Sequence, residues 1–252
     1  MVPKASVLIP LYIYPNATSW KPLLDSAAAN QGVSFTVIVN PNDGPGYAPW
    51  WPNTDYTTYI AKLNALSNVQ TIGYVDTAQV NIPSGPYSVE TIEKDIATYA
   101  SRSTDPTYPN IGVKGIFFDD VTNVYSDAAE STLEQVANYT KAQAGIGSPK
   151  TTIINPGSRP NFVTPNVDIC LAFENTWDYY QTSDSRNWLA GNPYDRAHTA
   201  YMVYGAPADQ VASITTALRN NASYLYVNDN TVKPWNSFGA SWDTFIAAMA
   251  AP

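Results

Sequence analysis

The 252-residue chain has almost none of the side chains on which metal centres, disulfides and thiol catalysis depend. It contains one cysteine, Cys170, and one histidine, His198. A single cysteine cannot form an intrachain disulfide, and one histidine is too few for a polyhistidine metal centre. Cys170 lies in an apolar run and His198 precedes a predicted strand, so we expect both to be structural. No metal or other cofactor is expected.

Charged side chains are also scarce. They make up 13% of the residues, about half of the usual fraction, and the net charge is -8 with a pI near 4.5. This leaves no basic surface for nucleic acid and would repel an anionic polymer. No apolar run reaches the roughly 18 residues that a membrane span requires. We therefore expect neither nucleic acid nor a membrane as a partner of this chain.

Aromatic and small polar residues are abundant, with 18 tyrosines and 7 tryptophans. Aromatic rings stack on the apolar faces of sugars, and amides bond their hydroxyls. This balance favours a secreted or cell-surface protein, which we expect to be a monomer that binds a neutral or cationic polysaccharide. The segment 1–4 does not resemble a signal peptide, and we expect one to precede it. Sequons at Asn16, Asn138 and Asn221 agree weakly with secretion.

Eight short apolar runs, rich in β-branched and aromatic residues, are typical of buried parallel strands. The predicted strands are 6–13, 34–39, 69–75, 113–118, 151–154, 167–173, 199–204 and 223–227. The predicted helices are 20–30, 54–66, 88–100, 127–144, 207–219 and 241–250. Asp127 and Glu130 resemble a capping box, and Pro207 suits a first helical turn. The segment 158–166 leaves room for only a short turn of helix.

This alternation predicts one α/β domain over residues 1–252, a (β/α)₈ TIM barrel with a shortened crossover between strands 5 and 6. An open doubly wound sheet is the alternative. It would need a glycine-rich first crossover, which the sequence does not contain.

In a TIM barrel the active site lies where the strands end. Those positions form a ring of amides, phenols and carboxylates without lysine, which excludes a Schiff-base aldolase because Lys114 is at the start of its strand. A carboxylate-only Mg²⁺ site remains an alternative. The predicted sugar-binding residues are Tyr12, Asn40, Asn42, Tyr74, Asp76, Asn155, Trp177, Tyr204 and Asn228.

The carboxylates at two strand ends are the predicted catalytic residues. Asp119 and Asp120 follow the fourth strand, and Glu174 follows the apolar Leu171-Ala172-Phe173 of the sixth. Glycoside hydrolysis needs one protonated and one ionised carboxyl group, and apolar surroundings raise the pKa of a carboxyl group. Neighbouring strand residues face opposite sides, so we expect Asp120 to face away from the barrel axis. Alternatively, these acids cap helices or pair with arginine.

Several segments resemble the spherulin-4-like family of barrel proteins. These are Ile9-Pro10-Leu11-Tyr12, Asn40-Pro41-Asn42-Asp43-Gly44-Pro45-Gly46, Gly73-Tyr74-Val75-Asp76-Thr77, Gly115-Ile116-Phe117-Phe118-Asp119-Asp120, Asn155-Pro156-Gly157 and Phe173-Glu174. The family includes endo-acting hydrolases of α-1,4-linked N-acetylgalactosamine or galactosamine in galactosaminogalactan, a biofilm exopolysaccharide. The resemblance implies this activity, with the family's acidic pair at Asp119 and Asp120 and its glutamate at Glu174. The second acid of the pair is often glutamate in the family.

From this resemblance we expect Glu174 to be the general acid/base and Asp119 the nucleophile or transition-state stabiliser, with Asp120 orienting them. Two alternatives remain: a glycan-binding barrel without catalysis, and a hydrolase for another α-linked glycan. Whether the reaction retains or inverts configuration is left open.

Overall fold

The computed structural model describes residues 2–78 and 88–252. Its centre is a closed barrel of eight parallel strands in chain order, in which the last strand pairs with the first. The strands are β1 Ser6–Leu11, β2 Phe35–Val39, β3 Val69–Asp76, β4 Gly115–Asp119, β5 Thr151–Ile154, β6 Ile169–Thr176, β7 Thr199–Tyr204 and β8 Tyr224–Val227. The prediction of a (β/α)₈ TIM barrel is confirmed.

Helices surround the barrel. They are α1 Lys21–Ala29, α2 Thr54–Asn64, α3 Val89–Ser103, α4 Asp127–Ala142, α5 Trp177–Tyr180, α6 Ser183–Leu189, α7 Val211–Leu218 and α8 Trp242–Ala250. The strands are nearly all apolar and buried. The packed interior of the barrel covers one face of the sheet, and the layer of helices covers the other. Cys170 is among these core residues, as predicted.

Two strands, β1 and β6, do not end where the apolar pattern indicates. β1 stops at Leu11 rather than residue 13, because the backbone N–H of Tyr12 turns to the carbonyl of Pro10. β6 continues to Thr176, so Glu174 lies inside the strand and not after it. Its pairing with β7 shifts register between Leu171 and Phe173. Such an irregularity changes which face the following side chains point to.

The helix α4 begins at Asp127 as predicted, but its cap is a different residue, and the predicted start of α7 is wrong. Ser126, not Asp127, is the N-cap of α4, and its side chain accepts a hydrogen bond from the backbone N–H of Ala129. The capping box of Asp127 and Glu130 is therefore absent. Pro207 lies in a turn whose carbonyl accepts from the N–H of Gln210, and α7 begins only at Val211.

The crossover between β5 and β6 is short, as predicted, but contains no helical turn. Asn161 instead joins it to the loop after β4: its backbone N–H donates to the carbonyl of Asn123, and its side-chain oxygen accepts from the N–H of Tyr125. The helices α5 and α6, both after β6, had no clear periodicity in the sequence and were not predicted.

Candidate active site

The carboxyl ends of β4, β5 and β6 surround a cavity of about 360 Å³. Its lining includes all three predicted catalytic acids together with Asn155. A larger cavity, about 580 Å³, lies at the opposite end of the barrel, against the starts of β1 and β8, and no aspartate or glutamate lines it. The acid-lined cavity is therefore the candidate active site, at the end of the barrel where TIM-barrel enzymes carry their catalytic groups.

Asn155 joins the two principal carboxylates. Its side-chain Nδ2 donates to Oδ1 of Asp119 at 2.7 Å and to Oε2 of Glu174 at 2.6 Å. Its Oδ1 accepts from the backbone N–H of Gly157 at 2.9 Å, which fixes the orientation of the amide. Asn155 is 7% exposed. The sequence predicted a sugar contact for Asn155, but its side chain is occupied in holding the two acids together.

The acid pair has raised pKa values. Burial, and then the nearby charge of Asp119, raises the pKa of Glu174 to about 7, against the lowering effect of the hydrogen bond from Asn155. Burial also raises the pKa of Asp119, although hydrogen bonds from Tyr74 and Asn155 oppose this. A carboxyl group with a pKa near 7 can carry a proton at neutral pH and give it to a leaving group.

A second set of contacts fixes Asp119. The hydroxyl of Tyr74 on β3 donates to Oδ2 of Asp119 at 2.8 Å. The hydroxyl of Thr77, which is buried, donates to the backbone carbonyls of Asp119 and Asp120. Thr77 was not predicted as a site residue. It belongs to the Gly73–Thr77 segment of the family resemblance, so the sequence did contain a signal for it.

Asp120 does not face away from the site. The strand ends at Asp119, and Asp120 takes a left-handed backbone conformation with φ 55° that lets it line the same cavity as Asp119. The alternation of side chains that applies inside a strand no longer holds there. The expectation that Asp120 would face away from the barrel axis is therefore corrected.

Besides Tyr74, three of the predicted sugar-binding residues lie beside the pair. Burial, and then the charges of Asp119 and Glu174, raise the pKa of Tyr12. Burial, and then the charge of Glu174, raise the pKa of Tyr204. The ring of Tyr12 meets that of Tyr74 edge to face at 5.6 Å. Asp76 is close enough to Asp119 to raise its pKa. These phenols and this carboxylate border the acid pair.

The loop after β2, which carries Asn40 and Asn42, is held against α3. Within it, Oδ1 of Asn40 accepts from the N–H of Gly44 at 3.0 Å, whereas Asn42 is exposed. Arg102 donates to the carbonyls of Pro45 and Gly46, and Tyr47 donates to Asp95. Part of the distinctive Asn40–Gly46 segment therefore has a structural role.

The structure also shows the surroundings of Asn228 and Trp177, two other residues that were predicted to bind sugar. Asn228 is 0% exposed, and its side chain bonds the backbone of Asn230 and Pro234, which contradicts a sugar contact. Trp177 is half-buried, with one ring face stacked on Tyr180 at 5.4 Å. His198 pairs with Asp195 outside the site, in agreement with a structural role.

Within residues 2–78 and 88–252, no group of three or more His, Cys, Asp or Glu side chains is placed to hold a metal ion. The same residues contain no helix long and apolar enough to cross a membrane.

The chain is similar to two proteins that are already known. Spherulin-4 of Physarum polycephalum is 38% identical over 155 residues, which are 62% of this chain and 40% of that protein. The match thus spans less than half of that relative. Aspergillus clavatus Sph3, whose crystal structure is a complex with GalNAc, is 28% identical and superposes with a TM-score of 0.92 over 99% of this chain and 98% of its own.

More distant structures share the fold alone. A chitinase from Chromobacterium violaceum has a TM-score of 0.54 at 13% identity, over 97% of this chain and 98% of its own. The sequence model of spherulation-specific family 4, Spherulin4, matches residues 6–249. With a match of this extent, the chain belongs to spherulation-specific family 4.

Proposed function

We propose that this protein is an endo-acting glycoside hydrolase that cleaves α-1,4-linked N-acetylgalactosamine or galactosamine in a galactosaminogalactan-type exopolysaccharide. The observation that carries the proposal is the pair of partly buried carboxyl groups, Asp119 and Glu174, bridged by one amide, with the pKa of Glu174 near 7. Glycosidases use two carboxyl groups in different protonation states. The similarity to Sph3 in complex with GalNAc supports a glycan as the substrate.

In the proposed reaction, Glu174 gives its proton to the glycosidic oxygen as the bond to the anomeric carbon breaks. Asp119, ionised and held by Tyr74 and Asn155, attacks that carbon from the other face and forms a glycosyl ester. Glu174, now a carboxylate, then takes a proton from water, which displaces Asp119. In an α-linked N-acetylgalactosamine the acetamido group is cis to the leaving oxygen, so it cannot act as the nucleophile in place of Asp119.

The spacing of the pair favours retention of configuration. Two oxygens that share the Asn155 nitrogen at 2.7 and 2.6 Å lie closer together than the ~6.5 Å minimum of inverting glycosidases. That gap leaves no room for a water between acid and base. Retention therefore follows from the proposed roles.

Asp120 has a supporting role in this proposal. It lines the cavity and is exposed, so it can contact the sugar or orient water. Tyr12, Tyr74, Asp76 and Tyr204 supply the remaining phenol and carboxylate groups for sugar hydroxyls. We further propose that the protein is secreted or on the cell surface, acts as a monomer and needs no metal.

The test is incubation of the full chain with N-acetylated and with deacetylated α-1,4 galactosamine polymer, followed by mass spectrometry of the released oligosaccharides. We expect a ladder of internal fragments, unchanged in the presence of a chelator. Saturable binding without new reducing ends would instead identify a glycan-binding barrel. Loss of activity in chelator would contradict the metal-free reaction.

A further inference from the structure

A second cavity lies on the flank of the barrel. It has a volume of about 380 Å³, within the range of small-molecule pockets, and its lining includes Tyr180, Arg186, Leu189, Tyr201 and Asn221. These residues come from α5, α6, β7 and the turn after α7. No aspartate or glutamate lines it.

The sheet separates this cavity from the acid pair. Phe173 and Glu174 are consecutive in β6, and consecutive strand residues point to opposite faces. The ring of Phe173 contacts Tyr180 at 5.3 Å and Tyr201 at 6.0 Å, whereas Glu174 meets Asn155. The flank cavity therefore lies behind the strand that carries Glu174.

Tyr201 carries a hydroxyl without a protein partner. Its side chain is 5% exposed and, in the part of the chain that the structure describes, its hydroxyl makes no hydrogen bond. The hydroxyl is not among the fully buried polar atoms that lack a partner, so it opens to the cavity, where a ligand can reach it. Because the ring packs on Phe173 and Tyr180 and the residue lines the cavity, a bound molecule could satisfy this hydroxyl.

Arg186 is also unengaged. Across residues 2–78 and 88–252 its guanidinium has neither a hydrogen bond nor an ion pair. The guanidinium groups of Arg102, Arg159, Arg196 and Arg219, by contrast, all donate to backbone carbonyls.

Tyr180 and Asn221 add one hydrogen-bond donor and one acceptor to the lining of the cavity. The side chain of Asn221 donates to the hydroxyl of Tyr180 at 3.1 Å, which leaves the Tyr180 proton and the Asn221 oxygen without partners among the described residues. The lining thus combines free donors, a free acceptor and aromatic rings. An oxyanion would use the donors alone, whereas a sugar, with hydroxyls along an apolar ring, would use all three.

We propose that this flank cavity is a secondary glycan-binding site, which holds a sugar unit of the polymer away from the acid pair. The identity of that polymer rests on the proposed function. A second attachment point on one chain raises the affinity for long polymers without changing the chemistry at the first. The site would matter for polymer and not for short oligosaccharides, which cannot reach both places.

The test measures binding of the polymer to the full chain carrying Glu174→Gln, which prevents turnover. Tyr201→Phe, which removes only the hydroxyl, and Arg186→Gln should each lower the affinity about five-fold, as expected for one lost hydrogen bond. Lys62→Gln, which removes a positive charge from α2, is the matched control and should leave the affinity unchanged. In the otherwise wild-type enzyme, the two flank variants should raise KM for polymer and leave kcat on a short oligosaccharide unchanged.

Unchanged polymer affinity in both flank variants would overturn the proposal. The proposal would also be overturned if inorganic phosphate competed with the sugar and Arg186→Gln abolished that competition, because this result would identify an oxyanion site. The outcome is separable from the proposed function. If the wild-type protein cleaves no polymer but the Glu174→Gln protein binds it with dependence on Tyr201, the secondary site stands and the hydrolase does not.

Discussion

The side chain of Asn155 connects two carboxylates that are far apart in the sequence. It donates to both Asp119 and Glu174 and is itself locked by Gly157. Both hydrogen bonds favour the ionised carboxylates and so oppose the effect of burial on their pKa values. The amide therefore lowers both pKa values, against the larger effect of burial.

Removal of either carboxylate should disable the enzyme. We expect Glu174→Gln and Asp119→Asn each to lower kcat by about 10²–10⁴-fold, the usual contribution of a positioned acid, base or nucleophile, measured as reducing ends released from polymer. Both substitutions keep the shape of the site, so circular dichroism should show an unchanged fold. Wild-type rates in either variant would contradict the assigned roles.

Asn155→Ala should shift the pH dependence of the reaction. Without its hydrogen bonds the pKa values of Asp119 and Glu174 both rise. In the wild type, ionisation of Asp119 sets the acid limb of the kcat/KM profile, and loss of the Glu174 proton near pH 7 sets the alkaline limb. Both limbs should therefore move to higher pH in the variant. Asn123→Ala is the matched control. The Asn123 amide lines the same cavity but donates to Ser158, so its removal should leave both limbs in place.

At the scale of helices and strands, the sequence pattern located the barrel but not all of its boundaries. Apolar runs predicted eight strands because both faces of a parallel strand are buried. The start of α4 was placed correctly at Asp127, but its cap was not, because capping depends on one local hydrogen bond, which Ser126 makes and Asp127 does not. The start of α7 was misplaced because Pro207 lies in a turn before the helix. The short helices α5 and α6 were missed because four and seven residues are too few for a clear period.

The cap of α4 offers a direct test at this scale. Ser126→Ala should lower the free energy of unfolding by about 1 kcal/mol, because the N–H of Ala129 loses its acceptor. Asp127→Asn, at the residue that the sequence favoured, should cost only a few tenths of a kcal/mol through the helix dipole. Urea denaturation of both variants gives the comparison, and an equal loss in the two would contradict the assignment of the cap.

At the scale of the whole molecule, closure of the barrel brings together strand ends that are distant in the chain. The sequence identified Asp119, Glu174 and Tyr74 because each lies at or near the end of an apolar run, and barrel closure then explains their proximity. It could not show that Asn155 bridges the acids, that Asp120 turns into the cavity, or that Asn228 is buried. Those outcomes depend on backbone geometry and loop packing that have no periodic signature.

The buried Glu174 should also make stability depend on pH. Its pKa in the folded protein, about 7, lies above the value of an exposed glutamate, so its contribution to stability is complete at low pH and is lost as the pH rises through 7. Glu174→Gln should therefore have a higher free energy of unfolding than the wild type at pH 8, by on the order of 3 kcal/mol, and about the same free energy of unfolding at pH 4. The exposed Glu90→Gln controls for the loss of one negative charge; a pH-independent difference in Glu174→Gln would contradict the account.

The most direct measurement of the central claim is proton NMR of the anomeric signals while the enzyme acts on an α-1,4-linked N-acetylgalactosamine oligosaccharide. We predict that new reducing ends appear first in the α configuration and convert to β only by mutarotation, because Asp119 and Glu174 are too close together for inversion. First appearance of the β anomer would contradict the retaining pair. The absence of any new anomeric signal would contradict hydrolysis of this linkage altogether.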